Sequence, residues 1–275
     1  MLKNILIPLV ILLLFFSSCM PGHRAARNFL EERSQIAVML VPPAFTFLYY
    51  YPFVPANDPE YFGEPASLKE SAFMDELDEI EATDMFMEAM QDELKAYGIA
   101  VFGPEEYDAF LSFPGRRYIF SIAQSEIMEY DQQMVDRALI DTTLYRQEFL
   151  LRHVARNTWF EFVEVDQSGG DSDLQILYSN FIVADYLDGR FRYRSMTGEV
   201  NYEYSAMVIS LEDVYYLQQY AGEGNARYIF EFLLNRHVAE NTRGRAPQYR
   251  YNPGSQSLRR GANGGFIIME SSEED

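Results

Sequence analysis

The chain has 275 residues, a formal charge of −20 and a single cysteine. Such acidity leaves no electrostatic footprint for nucleic acid, and an anionic lipid surface would repel it unless something other than charge held it there. One cysteine excludes an internal disulfide, while 48% hydrophobic residues over this length provide a core for one sizeable domain or two small ones. The 21 phenylalanines and 20 tyrosines, set against one tryptophan, suit a sheet-rich fold.

In chain order, "MLKN" supplies one positive charge, "ILIPLVILLLFF" an apolar run, and "FSSC" two small residues ahead of Cys19. A membrane-spanning helix needs roughly 20 apolar residues, so this run is too short to span and has the dimensions of a secretory signal peptide over residues 1–18. A lone thiol at the cleavage point is best used as an attachment site. Phe16, Ser17, Ser18 and Cys19 resemble the lipobox of bacterial lipoproteins, in the looser form found in Bacteroidota, with Phe16 for the usual leucine and Ser18 for the usual Gly or Ala. The resemblance implies cleavage before Cys19, diacylglycerol (palmitate-type chains) on its sulfur, and a third acyl chain on the new amino group. Two or three acyl chains hold a protein on a bilayer stably. Lys3 is the only charged residue of the first eighteen, so the mature chain would be one unit more negative still. Met20 stands where an inner-membrane retention aspartate would be, and "MPGHRAARNF" is neutral to basic. The expectation is an outer-membrane anchor facing the periplasm, with residues 19–33 as a tether.

A domain is expected over residues 34–240. "SQIAVMLVP" reads as a buried first strand, "FTFLYYYPFVP" as an aromatic segment, and Ala72–Tyr97 as helix in two pieces stopped by Gly98. "IAVFG" follows as a strand, and Pro104 opens a short helix through Leu111. "RRYIFSIAQSEIMEY" alternates as a central strand, and Leu174–Tyr204 reads as an antiparallel meander with Asp188-Gly189 as a hairpin turn. Ser210 caps a helix whose first turn holds Glu212 and Asp213 and whose end is marked by Gly222. The sum is α+β, with one main mixed or antiparallel sheet and helices mainly on one face.

Two peptides are nearly identical: "EFLLRHVARNT" at Glu148–Thr158 and "EFLLNRHVAENT" at Glu231–Thr242. The first runs into "WFEFVEV", with Trp159, Glu161 and Val163 on one side and Phe160, Phe162 and Glu164 on the other. The second follows "GEGNARYIF", where Asn225 is placed to cap a helix with a stripe of Ala226, Ile229, Phe230, Leu233, Leu234 and His237. One copy is therefore expected as strand and one as helix, and the extra Asn235 strengthens this, because one inserted residue turns a helix by about 100° and flips a strand's faces. A two-histidine site is not expected: neither His153 nor His237 lies in a close-spaced ligand motif. His23 is expected to be solvated.

Catalytic signals are sparse. There is no Gly-x-Ser-x-Gly elbow, no His-Glu-x-x-His and no phosphate-binding glycine loop, and an acylated Cys19 leaves no thiol nucleophile. Carboxylate pairs such as Glu126 with Glu129 or Asp171 with Asp173 are plentiful in a chain this acidic, and their abundance weakens each one. The aromatic segment is the stronger candidate. Phe45, Phe47, Tyr49, Tyr50, Tyr51 and Phe53 are either a buried strand end or, if exposed, an apolar patch for a protein partner, glycan or membrane. Met74, Met87 and Met90 read as core. From 241 the chain becomes Arg-rich and then acidic, a flexible tail to 275 in which "QYRYNPGSQSLRR" can form a hairpin around Asn252–Ser255 and "GFIIME" an edge strand.

The order "IAVMLVPP", helix, "YGIAVFGPEEYDAFL", "YIFSIAQSEIMEYD" and "NTWFEF" is similar to a group of Bacteroidota lipoproteins, and its opening resembles small periplasmic lipoproteins that assist envelope assembly or transport machines. The resemblance implies location and class and carries over no catalytic residue. The functional expectation is a lipid-anchored, non-enzymatic adaptor or assembly factor of the outer membrane, with no cofactor or metal, a membrane contact through its lipid and an envelope protein as partner. The alternative is a carbohydrate-active or peptidoglycan-binding protein using aromatic residues and a carboxylate pair.

Overall fold

A computed structural model describes residues 21–165, 174–243, 246–261 and 265–269. The signal segment, Cys19 and the Asp171/Asp173 pair lie outside the described residues. The fold is α+β, built on one mixed seven-stranded sheet.

Helix α1 (Pro21–Glu32) occupies most of the stretch read as a tether. Ala25, Ala26 and Phe29 fall on one stripe and are buried, so burial of an apolar face makes a helix where composition suggested a linker. Strand β1 (Ile36–Val41) is an unbroken apolar run because it lies inside the sheet, parallel both to β3 (Ala100–Phe102) and to β4 (Arg116–Ile140). β2 (Phe47–Val54) also runs parallel to β4, further along it. A 25-residue strand thus offers Arg116–Ser121 to β1 and Glu126–Gln132 to β2.

Of the two expected helical pieces before Gly98, only the second forms, as α2 (Glu79–Ala96). Asp78 caps it by accepting from the N–H groups of Ile80 and Glu81, and Gly98, at φ +84°, ends it in the left-handed region open to glycine. Residues 72–78 are turns instead. The buried Glu129 carboxylate holds them, accepting from the N–H groups of Ala72 (2.8 Å) and Phe73 (2.9 Å) and lying 3.2 Å from Arg152. A short helix, α3 (Tyr107–Leu111), follows β3.

β4 turns at Asp141 and Thr142, both at positive φ, into β5 (Thr143–Val165), which pairs with it antiparallel along its whole length. Past Gln132 the two strands project as an arm. β6 (Gln175–Ala184) adds to β5, and then β7 (Tyr186–Arg194) and β8 (Glu199–Met207) form a separate hairpin on that arm. Phe149 meets Tyr202 at 5.3 Å, Tyr145 meets Phe191 at 6.1 Å, and the Tyr202 hydroxyl donates to Asp136. Asp188-Gly189 is therefore not the turn: it lies inside β7, where Gly189 leaves room for the Tyr202 ring, and the chain reverses at residues 195–198.

Ser210 caps α4 (Leu211–Glu240) through a reciprocal bond with Asp213. The helix stops neither at Gly222 nor for a new cap at Asn225, but runs thirty residues through both. Gly222 is a contact, not a stop: a Cβ there would lie 2.3 Å from the Phe86 carbonyl oxygen, so glycine lets α4 cross α2 at close range. Asn225 faces inward, fully buried. Packing of the long apolar stripe outweighs the local cost of two glycines.

The main core lies between the sheet and the layer of α1, α2 and α4, with Phe230 touching Phe29 and stacked on Tyr97 at 4.5 Å, and Phe162 edge-on to Phe232. Each such ring buried contributes roughly 1.5–3 kcal/mol. The stretch read as a flexible tail contains a hairpin, β9 (Tyr249–Asn252) with β10 (Ser257–Arg260), whose Tyr249 and Tyr251 are buried in this core. β11 (Ile267–Met269) closes the far edge of the sheet on β6.

Candidate functional site: the open face of the sheet

Side chains alternate across a strand, so β2 divides its aromatic run between two faces. Tyr50 turns toward the helices and is buried; its hydroxyl is held protonated first by burial and then by Asp131 and Glu129. It is not part of any exposed patch, which corrects the sequence reading for that residue. Phe47, Tyr49 and Tyr51 point the other way. Phe45, 58% exposed, packs edge-on to Phe47 at 4.7 Å, and the row continues Phe47 to Tyr49, Tyr49 to Tyr51, Tyr51 to Phe62 and Phe62 to Tyr130, each step between 5.1 and 6.1 Å. Phe53 is exposed beyond a register shift that follows Tyr51.

Register carries this face across the sheet. Phe47 stands beside Glu126, Asn157 and Asn180; Tyr49 beside Met128, Ala155 and Ile182; Tyr51 beside Tyr130, His153 and Ala184. Trp159 and Tyr178 add a tilted ring pair at 4.9 Å, and Ile267 of β11 is the next neighbour of Tyr178. Asn157 is the polar hub: its amide oxygen accepts from the Tyr178 hydroxyl (2.8 Å) and the Asn180 amide (2.6 Å), and its NH₂ points to the Met128 sulfur (2.9 Å). Burial keeps the Tyr51, Tyr130 and Tyr178 hydroxyls protonated above the ordinary tyrosine pKa, so they remain donors at any physiological pH.

Both ends of the face are covered. Phe62, from the loop after β2, packs on Tyr51 and Tyr130 over Val54 and Ala155, and at the other end α3 lays Phe110 over Ala37, Met39 and Val165. Between them the strands stand open, with Phe45, Phe47, Ile182 and Ile267 all solvent-facing. The sequence reading found the β2 half of this surface and missed Trp159, Tyr178 and Ile182. Their period-two pattern was readable, but nothing in sequence says that β6 lies three strands from β2, across β4 and β5.

The face is aromatic, with amides and hydroxyls set into it, and it does not bring together Glu126 and Glu129, the carboxylate pair considered from sequence. Glu126 lies on the open face and Glu129 is buried on the helix face. Glu161 shares Glu126's face but lies four residues along β5 from Asn157, the partner of Glu126, a backbone spacing of roughly 13 Å at about 3.3 Å per residue. The histidines are apart as well: His153 stacks on Tyr130 on the open face, whereas His237 of α4 lies beside Phe29, its pKa lowered by burial and then by Arg116. Among the described residues no three His, Cys, Asp or Glu side chains converge as a metal site, and no helix is long and apolar enough to cross a membrane. No protein-family model matches the chain, and no curated protein matches it in sequence.

Proposed function

We propose that this is a lipid-anchored protein of the cell envelope, tethered through Cys19 to the periplasmic leaflet of the outer membrane, that acts as a non-enzymatic adaptor or assembly factor. The open sheet face takes its protein partner. The observation that carries this reading is the patch of solvent-facing Phe45, Phe47 and Ile182 on the open sheet face: an exposed apolar area of this kind marks a contact site. The test is in-cell crosslinking and pull-down of the full lipoprotein beside a variant carrying Phe45→Ser, Phe47→Ser and Tyr49→Ser, which spares the buried Tyr50. An envelope protein captured by the first and lost by a still-folded second supports the reading. Equal capture by both would remove this face from the contact.

One observation favours a glycan on the same face instead. The Trp159 and Tyr178 rings, flanked by the Asn157 and Asn180 amides, combine stacking surface with sugar-type hydrogen-bond partners. Retention on peptidoglycan that disappears with Trp159→Ala, alongside failure to capture a protein, would decide for that alternative.

A further inference from the structure

The start of α1, two residues after Cys19, and a cluster of arginines without an ion-pair partner among the described residues both lie against the β9–β10 hairpin. Gly22, the second residue of α1, is packed so closely that a Cβ would lie 2.6 Å from the Pro247 ring and 3.2 Å from the Tyr249 hydroxyl, and the His23 ring meets Tyr249 edge-on at 6.2 Å. Cys19 is two residues before Pro21, and two residues reach at most about 7 Å. An acylated Cys19 must therefore enter the bilayer beside the start of the β9–β10 hairpin. That hairpin carries Arg250, Arg259 and Arg260, which join Arg227 of α4 around a cleft of about 780 Å³.

Three observations set these arginines apart. None of the four forms an ion pair within 4 Å among the described residues, in a chain with 42 acidic and 22 basic residues, where partners are abundant. Arg250 and Arg259 are direct cross-strand partners, so two like charges stand opposite each other, an arrangement that costs the free protein stability and that an anion between them would relieve. The three carboxylates of the cleft leave that charge in place. Glu231 is mostly buried, and burial raises its pKa against the pull of Arg250 and Arg227; Glu93 is engaged by the Tyr97 hydroxyl; Glu223 stands exposed on α4.

We propose that the arginine cleft binds the phosphate headgroups of anionic phospholipids in the leaflet that holds the anchor. This rests on acylation of Cys19. Guanidinium groups match phosphate oxygens bidentately, and the acidic remainder of the surface is repelled by the same headgroups, so only this end of the body settles on the membrane. The hairpin packs on α4, on the helix side of the sheet, so the contact leaves the open face free for its partner.

The test uses the full acylated protein with Ser255→Cys, in the β9–β10 turn, carrying a fluorophore. With Cys19 capped by lipid, this is the one reactive thiol. The protein is reconstituted in phosphatidylcholine vesicles with or without about a third phosphatidylglycerol, both containing a headgroup-attached quencher. Quenching severalfold stronger with phosphatidylglycerol is expected, abolished at about 1 M salt, where the screening length is about 3 Å, and in a variant with Arg250→Gln, Arg259→Gln and Arg260→Gln. A probe at Met196→Cys, in the β7–β8 turn, is expected to stay unquenched in both vesicles. Equal quenching with and without phosphatidylglycerol, or quenching untouched by the triple substitution, overturns the proposal, as does arginine-dependent binding to acidic peptides with none to the vesicles. A protein without the Ser255 substitution that takes the fluorophore on Cys19 overturns the acylation reading separately.

Discussion

The two near-identical peptides are a controlled comparison inside one molecule. In β5, Leu150 and Leu151 fall on opposite faces of the arm and Leu150 is 57% exposed; in α4 their counterparts Leu233 and Leu234 are both buried against the core. Val154 and Val238 are completely buried in both settings. The ends diverge most: Arg156 and Asn157 are buried in the middle of the sheet, whereas Glu240 and Asn241, at the end of α4, are exposed and Glu240 pairs with Arg116 and Arg236. The same residues thus follow period two where neighbouring strands offer a ladder and period 3.6 where a helix face meets a core. Nearly identical sequence is no guide to burial; the partner surface is.

The sharpest way to break the comparison is to truncate matched leucines. Leu233→Ala should cost about 2–5 kcal/mol, the range for cavity-forming core changes, while Leu150→Ala should stay within about 0.5 kcal/mol. Urea midpoints for the two variants would show it, and equal losses would mean that the arm is buried in the protein as it exists in solution.

Next comes Asn235, the one inserted residue. Its amide donates to the carbonyls of Glu231 (2.8 Å) and Tyr249 (3.0 Å), and its oxygen accepts from the Tyr249 N–H (2.7 Å), tying β9 to α4. Asn235→Ala should cost about 1–3 kcal/mol by leaving the Tyr249 backbone without its partner. Hydrogen exchange should rise first across Tyr249–Asn252; unchanged exchange there would show that the hairpin is held by its tyrosines alone.

The smallest effect is expected at Arg156, the counterpart of Glu240. Its guanidinium is fully buried 3.8 Å from the centre of the Phe86 ring, donating to Gln218 (2.6 Å) and Ser125 (3.0 Å) with no ion-pair partner among the described residues, and burial lowers its pKa to about 9. Arg156→Met should be neutral or stabilising by up to about 1 kcal/mol at pH 7, since an uncompensated buried charge is exchanged for an apolar chain of similar length. The pH dependence has a definite sign. A folded pKa below the unfolded value means that the unfolded chain holds the extra proton above about pH 9, so the wild type should gain stability relative to the Met variant as pH rises through that point. A flat difference between the two across that range would mean that the guanidinium is compensated.

Much of the architecture was legible in the chain. The unbroken apolar run of β1 announced a strand covered on both sides, Gly98 and Ser210 were read correctly as helix stop and cap, and the strand and helix forms of the repeat followed from their flanks. The failures share a cause. Gly222, Asn225 and the Asp188-Gly189 pair were read by local convention as stop, cap and turn, yet each answers to a distant partner: Phe86 for Gly222, the buried core for Asn225, Tyr202 for Gly189. Local preferences of about 1 kcal/mol yield to packing that is worth several.

The candidate site divides in the same way. The aromatic density of residues 45–53 marked β2 from sequence alone, and period two already implied that half of those rings would face the core. Which half, and that Trp159, Tyr178 and Ile182 would extend the surface from strands more than a hundred residues away, depended on register, which pairs Phe47 with Glu126, Asn157 and Asn180. Sequence by itself determined composition, periodicity and the lipobox-like start, because these are properties of consecutive residues. The open face and the clustering of the hairpin arginines with Arg227 were decided only by the tertiary structure, because neighbours across a sheet and between a hairpin and a helix are set by where the chain returns in space.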